Sequence, residues 1–132
     1  MASIFTKIVN GEIPAYKVAE NDLFLAFLDV MPIIEGHVLV IPKQEVDYIF
    51  DLDDKTYTDL HLFAKKVAKG VKKAIPCNRI GTTVIGLEVP HTHIHLIPMN
   101  SMKDINFANP KLSFTPEKMK AIAQKIAQEI TL

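Results

Sequence analysis

Val89-Pro90-His91-Thr92-His93-Ile94-His95-Leu96-Ile97-Pro98 sets three histidines at every second position of one short apolar run. A β-strand has a side-chain period of two. The stretch therefore predicts a strand with His91, His93 and His95 on one face and Thr92, Ile94 and Leu96 on the other. Neighbouring imidazoles would stand roughly 6–7 Å apart. Three of the chain's 5 histidines are spent here, and adjacent polar rings gain nothing for packing, so the run reads as a site.

Three uses are open to such a run. Neutral imidazoles bind zinc, and a catalytic zinc takes three protein ligands with a fourth position free. A histidine can also act as a nucleophile and split one hard step into two through a covalent intermediate. A phosphorus centre suits it, because a neutral nitrogen approaches an anionic phosphate with less repulsion than an oxyanion does. Neighbouring imidazoles would orient the attacking ring or donate to phosphate oxygens, and crowding would keep at least one of them neutral near pH 7. The third use is a polar sheet edge without chemistry.

Outward from this stretch, the chain alternates strand and helix signals. Ser3 caps a short helical segment carrying Phe5, Ile8 and Val9, and Gly11 ends it. Tyr16 to Ala19 and Leu23 to Leu28 read as strands around a turn at Asn21-Asp22. Met31 to Gly36 reads as a loop, and His37 to Ile41 as a buried strand closed by Pro42. Asp53-Asp54 open a long helix whose apolar stripe is Leu60, Phe63, Ala64, Val67, Ala68 and Val71, and Pro76 stops it. Arg79 to Ile85 is a further strand, broken by Gly86 before the histidine strand. Thr115, Pro116 and Glu117 start a last helix, about 116–130, with Met119, Ile122, Ala123, Ile126, Ala127 and Ile130 along one side. Strands joined by short turns pair antiparallel, so the fold class is α+β rather than a doubly wound parallel sheet.

The 132 residues suit a single domain, 1–132. Lys+Arg and Asp+Glu balance at 15 each, so no net field recruits nucleic acid or a membrane surface. Lys65, Lys66, Lys69, Lys72 and Lys73 read as a solvated helix face, and His61 as a surface residue. One cysteine, Cys77, excludes an internal disulfide and points to a reducing compartment. No leader pattern and no run of ~20 apolar residues is present, so the expected location is cytoplasmic.

The residues also resemble a known family. His91-Thr92-His93-Ile94-His95-Leu96-Ile97 resembles the histidine triad (HIT) motif. Ser3 to Pro14 resembles the opening of its nucleotide-binding HINT branch. Phe24 to Val30 and Gly36 to Lys43 resemble its second and third signature blocks. Together the blocks span about 3–99 in the family's order. The resemblance implies a HIT-like fold, with an antiparallel sheet, one long and one C-terminal helix, and a homodimer. It implies a purine nucleotide-binding hydrolase or transferase acting at the α-phosphate of AMP or GMP conjugates such as nucleoside phosphoramidates. His93 would be the covalent nucleophile, His95 would touch a phosphate oxygen, and His91 and His37 would support them. Asp29 would bind the ribose hydroxyls, and Phe5, Ile8, Phe27, Leu28 and Val30 the base. No cofactor is implied for this chemistry. The runner-up is a nucleotide-binding dimer with weak or lost catalysis. A three-histidine metalloenzyme comes after it.

Two departures from the family matter. Relatives hold a structural zinc with Cys-x-x-Cys, a later histidine and the first triad histidine. Here those positions are Ser3, Thr6, Glu45 and His91, so no structural zinc is expected. Relatives also carry Gly-Gln-Ser before the triad, where this chain has Gly86-Leu87-Glu88. Glu88 is therefore expected near the leaving group, either as a proton donor or as the partner of a cationic group. An asparagine usual in that region is missing, with Thr82 and Thr83 the nearest polar residues. Lys103, Asn106 and Asn109 are the polar candidates for shaping the leaving-group side from the tail.

Overall fold

Each of the three helices starts at a side-chain oxygen. In the computed structural model, which describes residues 2–132, Ser3 Oγ accepts the Thr6 N–H at 3.0 Å and opens helix α1, Ile4–Val9. Asp53 Oδ1 accepts the Thr56 N–H at 2.7 Å and opens α2, Asp54–Ala74. Thr115 Oγ1 accepts the Lys118 N–H at 3.1 Å and opens α3, Pro116–Gln128, with Pro116 in the first turn. Pro76 forces Ile75 into extended backbone, φ −113° and ψ 112°, which ends α2 one residue earlier.

Five strands form one sheet: β1 (Lys17–Glu20), β2 (Phe24–Leu28), β3 (Val38–Pro42), β4 (Arg79–Thr83) and β5 (Ile94–Met99). Their order is β1-β2-β3-β5-β4, with every neighbouring pair antiparallel. This is the expected α+β architecture. Among the described residues no helix is long and apolar enough to cross a membrane.

The period of two divides the sheet into two faces with different tasks. Phe24, Ala26 and Leu28 of β2, Val38 and Val40 of β3, and Ile94 and Leu96 of β5 lie beneath α2 and α3 in the main core. The α2 stripe of Leu60, Phe63, Ala64, Val67 and Val71 joins them, as do Met119, Ile122, Ala123 and Ile126 of α3. Each such fully buried side chain contributes about 1.5–3 kcal/mol. On the opposite face Leu25, Phe27, Leu39 and Ile41 pack under Phe5 and Ile8 of α1. Leu39 pairs with His95 in the ladder, so the histidine side of β5 belongs to this second face.

Three boundaries depart from the sequence expectation. The histidine strand begins at Ile94 rather than Val89, because the chain turns before it. His91 N–H bonds back to the Val89 carbonyl at 2.8 Å, and Thr92 N–H leaves the ladder for the Val46 carbonyl at 2.7 Å. Without that stretch as a partner, β4 stops at Thr83, opposite His95, instead of reaching Ile85. The last helix ends at Gln128. Ile130 packs against the core beyond the helix, where a Cβ on Gly70 of α2 would come within 2.4 Å of Ile130 Cγ1.

Candidate active site

The turn and strand bring four buried imidazoles together, with backbone groups bonded to three of them and the His37 ring to the fourth. The His91 carbonyl lies 2.7 Å from His93 Nδ1. A carbonyl only accepts, so His93 Nδ1 carries a hydrogen, and in the neutral ring the lone pair falls on Nε2. Ile33 N–H donates to His37 Nδ1 at 3.3 Å, which puts the His37 proton on Nε2. That Nε2–H donates to His95 Nδ1 at 2.9 Å, so His95 carries its own hydrogen on Nε2. The pair His93 and His95 thus offers one bare nitrogen and one N–H. Their ring centroids are 4.9 Å apart, closer than an extended strand implies.

His91 is turned away from this pair. Its Nε2–H donates to the Pro42 carbonyl at 2.8 Å, and its Nδ1 takes the Ser3 hydroxyl proton at 2.9 Å. Glu45 Oε1 closes the network, accepting the Ser3 N–H and the Thr6 hydroxyl, both at 2.6 Å. These bonds, the backbone one foremost, hold the Glu45 carboxyl down to about 2. The three triad rings therefore do not converge on one ion, which removes the geometric basis for a three-histidine metal centre. Among the described residues the set that converges is Asp29, His37 and His95, with ligand atoms within 4.8 Å of one another.

Burial sets the charge of the site. Desolvation pushes His37 down to about 3 and His95 to about 4, with neighbouring imidazoles and Lys111 adding to the effect. Desolvation also lowers His91, against the opposing pull of the Pro42 carbonyl and Glu45. Asp29 is raised by its own burial. These rings are neutral at pH 7.

A cleft of about 250 Å³ opens over His93 and His95. Ile85, Leu87, Glu88, Phe107 and Lys111 line it. The Phe107 ring stands edge-on to His95, centroids 4.8 Å apart, and Lys111 Nζ lies 5.2 Å over that ring. Alternating buried histidines leading into a strand, beside a further histidine at the start of the neighbouring strand, match the four-histidine set of the sequence resemblance. The profile of the HIT domain family matches residues 10–102.

This chain belongs to the HIT family.

Relatives agree along nearly its whole length. It is 36% identical over 132 residues to the adenosine 5′-monophosphoramidase of Schizosaccharomyces pombe, covering 98% of this chain and 99% of that one. It is 37% identical over 135 residues to an uncharacterized HIT-like protein of Borreliella burgdorferi, covering 96% and 97%. The crystal structure of a HIT-like protein involved in cell-cycle regulation from Bartonella henselae superposes with a TM-score of 0.84 at 32% identity, covering 97% and 96%.

The remaining candidates of this HIT protein fall into two groups. Phe5 meets His93 edge-on at 5.0 Å and Phe27 at 5.5 Å, with Ile8 in the same cluster. Asp29 follows β2 on this side, its Oδ1 accepting the Met31 N–H at 2.9 Å and its Oδ2 3.8 Å from His37 Nε2. Val30 is 62% exposed beside it. Leu28 is a correction: one residue before Asp29, it points to the opposite face and is 2% exposed in the helix-covered core.

The polar tail residues, candidates for the leaving-group side or equally for loop surface, bond within their own loop. Asn109 Nδ2 donates to the Lys103 carbonyl and Asn106 Oδ1 accepts the Ala108 N–H, so these residues shape their own turn. Phe107 and Lys111 reach the cleft instead. Sequence reasoning missed both. Thr82 and Thr83 stay in β4, away from the cleft walls.

The residues at the family's zinc position do not fit that ion. Two hydroxyls stand where thiolates are needed, and each polar group there, His91 included, is already satisfied by hydrogen bonds.

Proposed function

We propose that this chain is a nucleotide hydrolase of the phosphoramidase type, working through a nucleotidyl-histidine intermediate on His93. The observation that carries the reading is the 2.7 Å bond from His93 Nδ1–H to the His91 carbonyl, which in the neutral ring places the lone pair on Nε2, the nucleophile of this reading. Nε2 attacks the α-phosphorus, the bond to the leaving group breaks, and the leaving group departs with the electron pair and takes up a proton. Water then attacks the same phosphorus, the P–N bond to His93 breaks, and the nucleoside monophosphate leaves. His95 Nε2–H donates to a non-bridging oxygen and stabilises its growing charge. Asp29 accepts from the two ribose hydroxyls, and the base lies against Phe5, Ile8, Phe27 and Val30. The substrates are purine nucleotide conjugates, AMP or GMP linked through the α-phosphate. The name of the Schizosaccharomyces pombe relative supports that class.

The reading includes a homodimer. The outer edge of β4 has no strand beside it, and Phe50, Ile85 and Leu87 are exposed nearby. An open edge with apolar neighbours favours pairing with a second copy. Sedimentation equilibrium giving the mass of a single chain would rule it out.

The testing experiment is AMP release from adenosine 5′-phosphoramidate in excess chelator, wild type against His93→Ala. Release that survives chelator and is absent in the variant, with quenched wild type carrying label from the nucleotide, supports the reading. Wild type that binds AMP but releases none supports the nucleotide-binding dimer without turnover, the alternative that Leu87 and Glu88 on the cleft wall favour.

A further inference from the structure

An anionic phosphate must be met by positive charge or by donors already in place. The buried imidazoles cannot supply charge at neutral pH, because desolvation keeps His37, His91 and His95 uncharged. Lys111 is the one Lys or Arg lining the cleft, which Glu88 also lines. Among the described residues it makes no ion pair, so its charge is not already committed. It is nevertheless held in place: its Nζ lies 5.2 Å over the face of Phe107, and Phe107 in turn packs edge-on against His95 at 4.8 Å and His37 at 6.1 Å. A cation on an aromatic face is attracted to the ring without losing its hydrogen-bond donors. The segment after the 3₁₀ turn Met102–Ile105 thereby anchors an aromatic ring on the histidines and presents an ammonium group above them.

We propose that Lys111, carried on the Phe107 ring, is the residue that receives the negative charge of the substrate's phosphate group over His93 and His95. The inference rests on the nucleotide reading above and adds the source of charge. An ammonium at the phosphate orients the phosphorus for attack while His93 and His95 keep the nitrogen and the N–H that the proposed reaction uses. It also divides recognition into parts. Nucleoside contacts belong to Asp29 and the α1 side, and the phosphate contact to the tail segment.

The test separates charge from nucleoside. Affinities of AMP and of adenosine are measured by calorimetry for wild type, Lys111→Met and Lys111→Arg. Lys111 is exposed and has no side-chain hydrogen bond among the described residues, so the variants keep the fold, which circular dichroism checks. Expected is a loss of about tenfold or more in AMP affinity for Lys111→Met, the size of one charge-assisted hydrogen bond. Adenosine affinity is unchanged, and Lys111→Arg restores most of the AMP affinity. Wild type that prefers AMP to adenosine while Lys111→Met binds AMP equally well overturns this inference and leaves the nucleotide reading standing. Wild type that binds neither ligand overturns both.

Discussion

Acidification should destabilise this protein through its buried histidines. His37 and His95 each have an ordinary value of 6.5, pushed by burial to about 3 and about 4 in the folded chain. The unfolded chain therefore binds more protons than the folded one anywhere between those values. Stability is fully present above pH 6.5 and is lost as pH falls toward the folded values. At pH 5 both folded values still lie below the ambient pH, so the loss depends almost entirely on the unfolded value. That is 1.5 pH units below 6.5, at about 1.36 kcal/mol per unit, or about 2 kcal/mol for each ring and about 4 kcal/mol for the pair. His91, also lowered, acts in the same direction. Four kcal/mol is a large part of the roughly 5–15 kcal/mol that holds a domain together. Urea denaturation at pH 7.5 and pH 5 measures it directly. His95→Asn should flatten the dependence by about half, since one of the two rings is gone. Equal stability at the two pH values would refute the claim that these rings are buried and neutral.

Three further outcomes follow from individual contacts. Ser3→Ala removes both the α1 cap and the hydroxyl that donates to His91 Nδ1 at 2.9 Å, and should cost about 1–3 kcal/mol in chemical denaturation; an unchanged midpoint would show the network to be idle. Gly70→Ala gains helix propensity but drives a Cβ to 2.4 Å from Ile130 Cγ1 and 3.1 Å from the Ile130 backbone nitrogen. Overpacking of about 1–3 kcal/mol outweighs a gain of at most about 1 kcal/mol, so melting should fall, and a higher melting temperature contradicts the close α2–tail contact. Glu88→Gln should change the rate and pH profile of phosphoramidate turnover if this wall residue faces the leaving group, and an unaltered profile removes it from the reaction.

Most of the fold was legible because its signals are local. Ser3, Asp53 and Thr115 cap the helices that they announce, Pro76 ends α2, and the stripes of α2 and α3 fall on the core. What was not legible depends on distant partners. The turn before β5 exists because Thr92 bonds the Val46 carbonyl, and no pattern within residues 89–98 reports a partner 46 positions away. Alternation correctly separated His93 and His95 from Ile94 and Leu96, but it carried His91 along with them, and the turn rotates that ring toward Ser3 and Pro42. The same alternation, applied to β2, would have assigned Leu28 and Asp29 to opposite faces. Phe107 and Lys111 lie in a stretch with no period of either kind, so only the three-dimensional path of the tail brings them to the cleft.

The division between His91 and the other rings has a physical reason. A histidine nucleophile works only if one particular nitrogen is bare, and a neutral imidazole has two tautomers of similar energy. Here groups with a single possible role make the choice. The carbonyls of Pro42 and His91 can only accept, and the Ile33 N–H can only donate. Backbone thus sets the proton on His91, His93 and His37, and His37 passes the choice on to His95. A backbone carbonyl rather than a carboxylate stands against His93 Nδ1, which sets this arrangement apart from a Ser-His-Asp triad, where an aspartate orients the histidine and stabilises its imidazolium. The scheme holds only while these rings stay neutral, and burial is what keeps His37, His91 and His95 so. Burial also removes the positive charge that a phosphate needs, so that charge must come from a side chain of another kind. The exposed ammonium of Lys111, resting on the ring that covers His95 and His37, can supply it without disturbing a single tautomer beneath it.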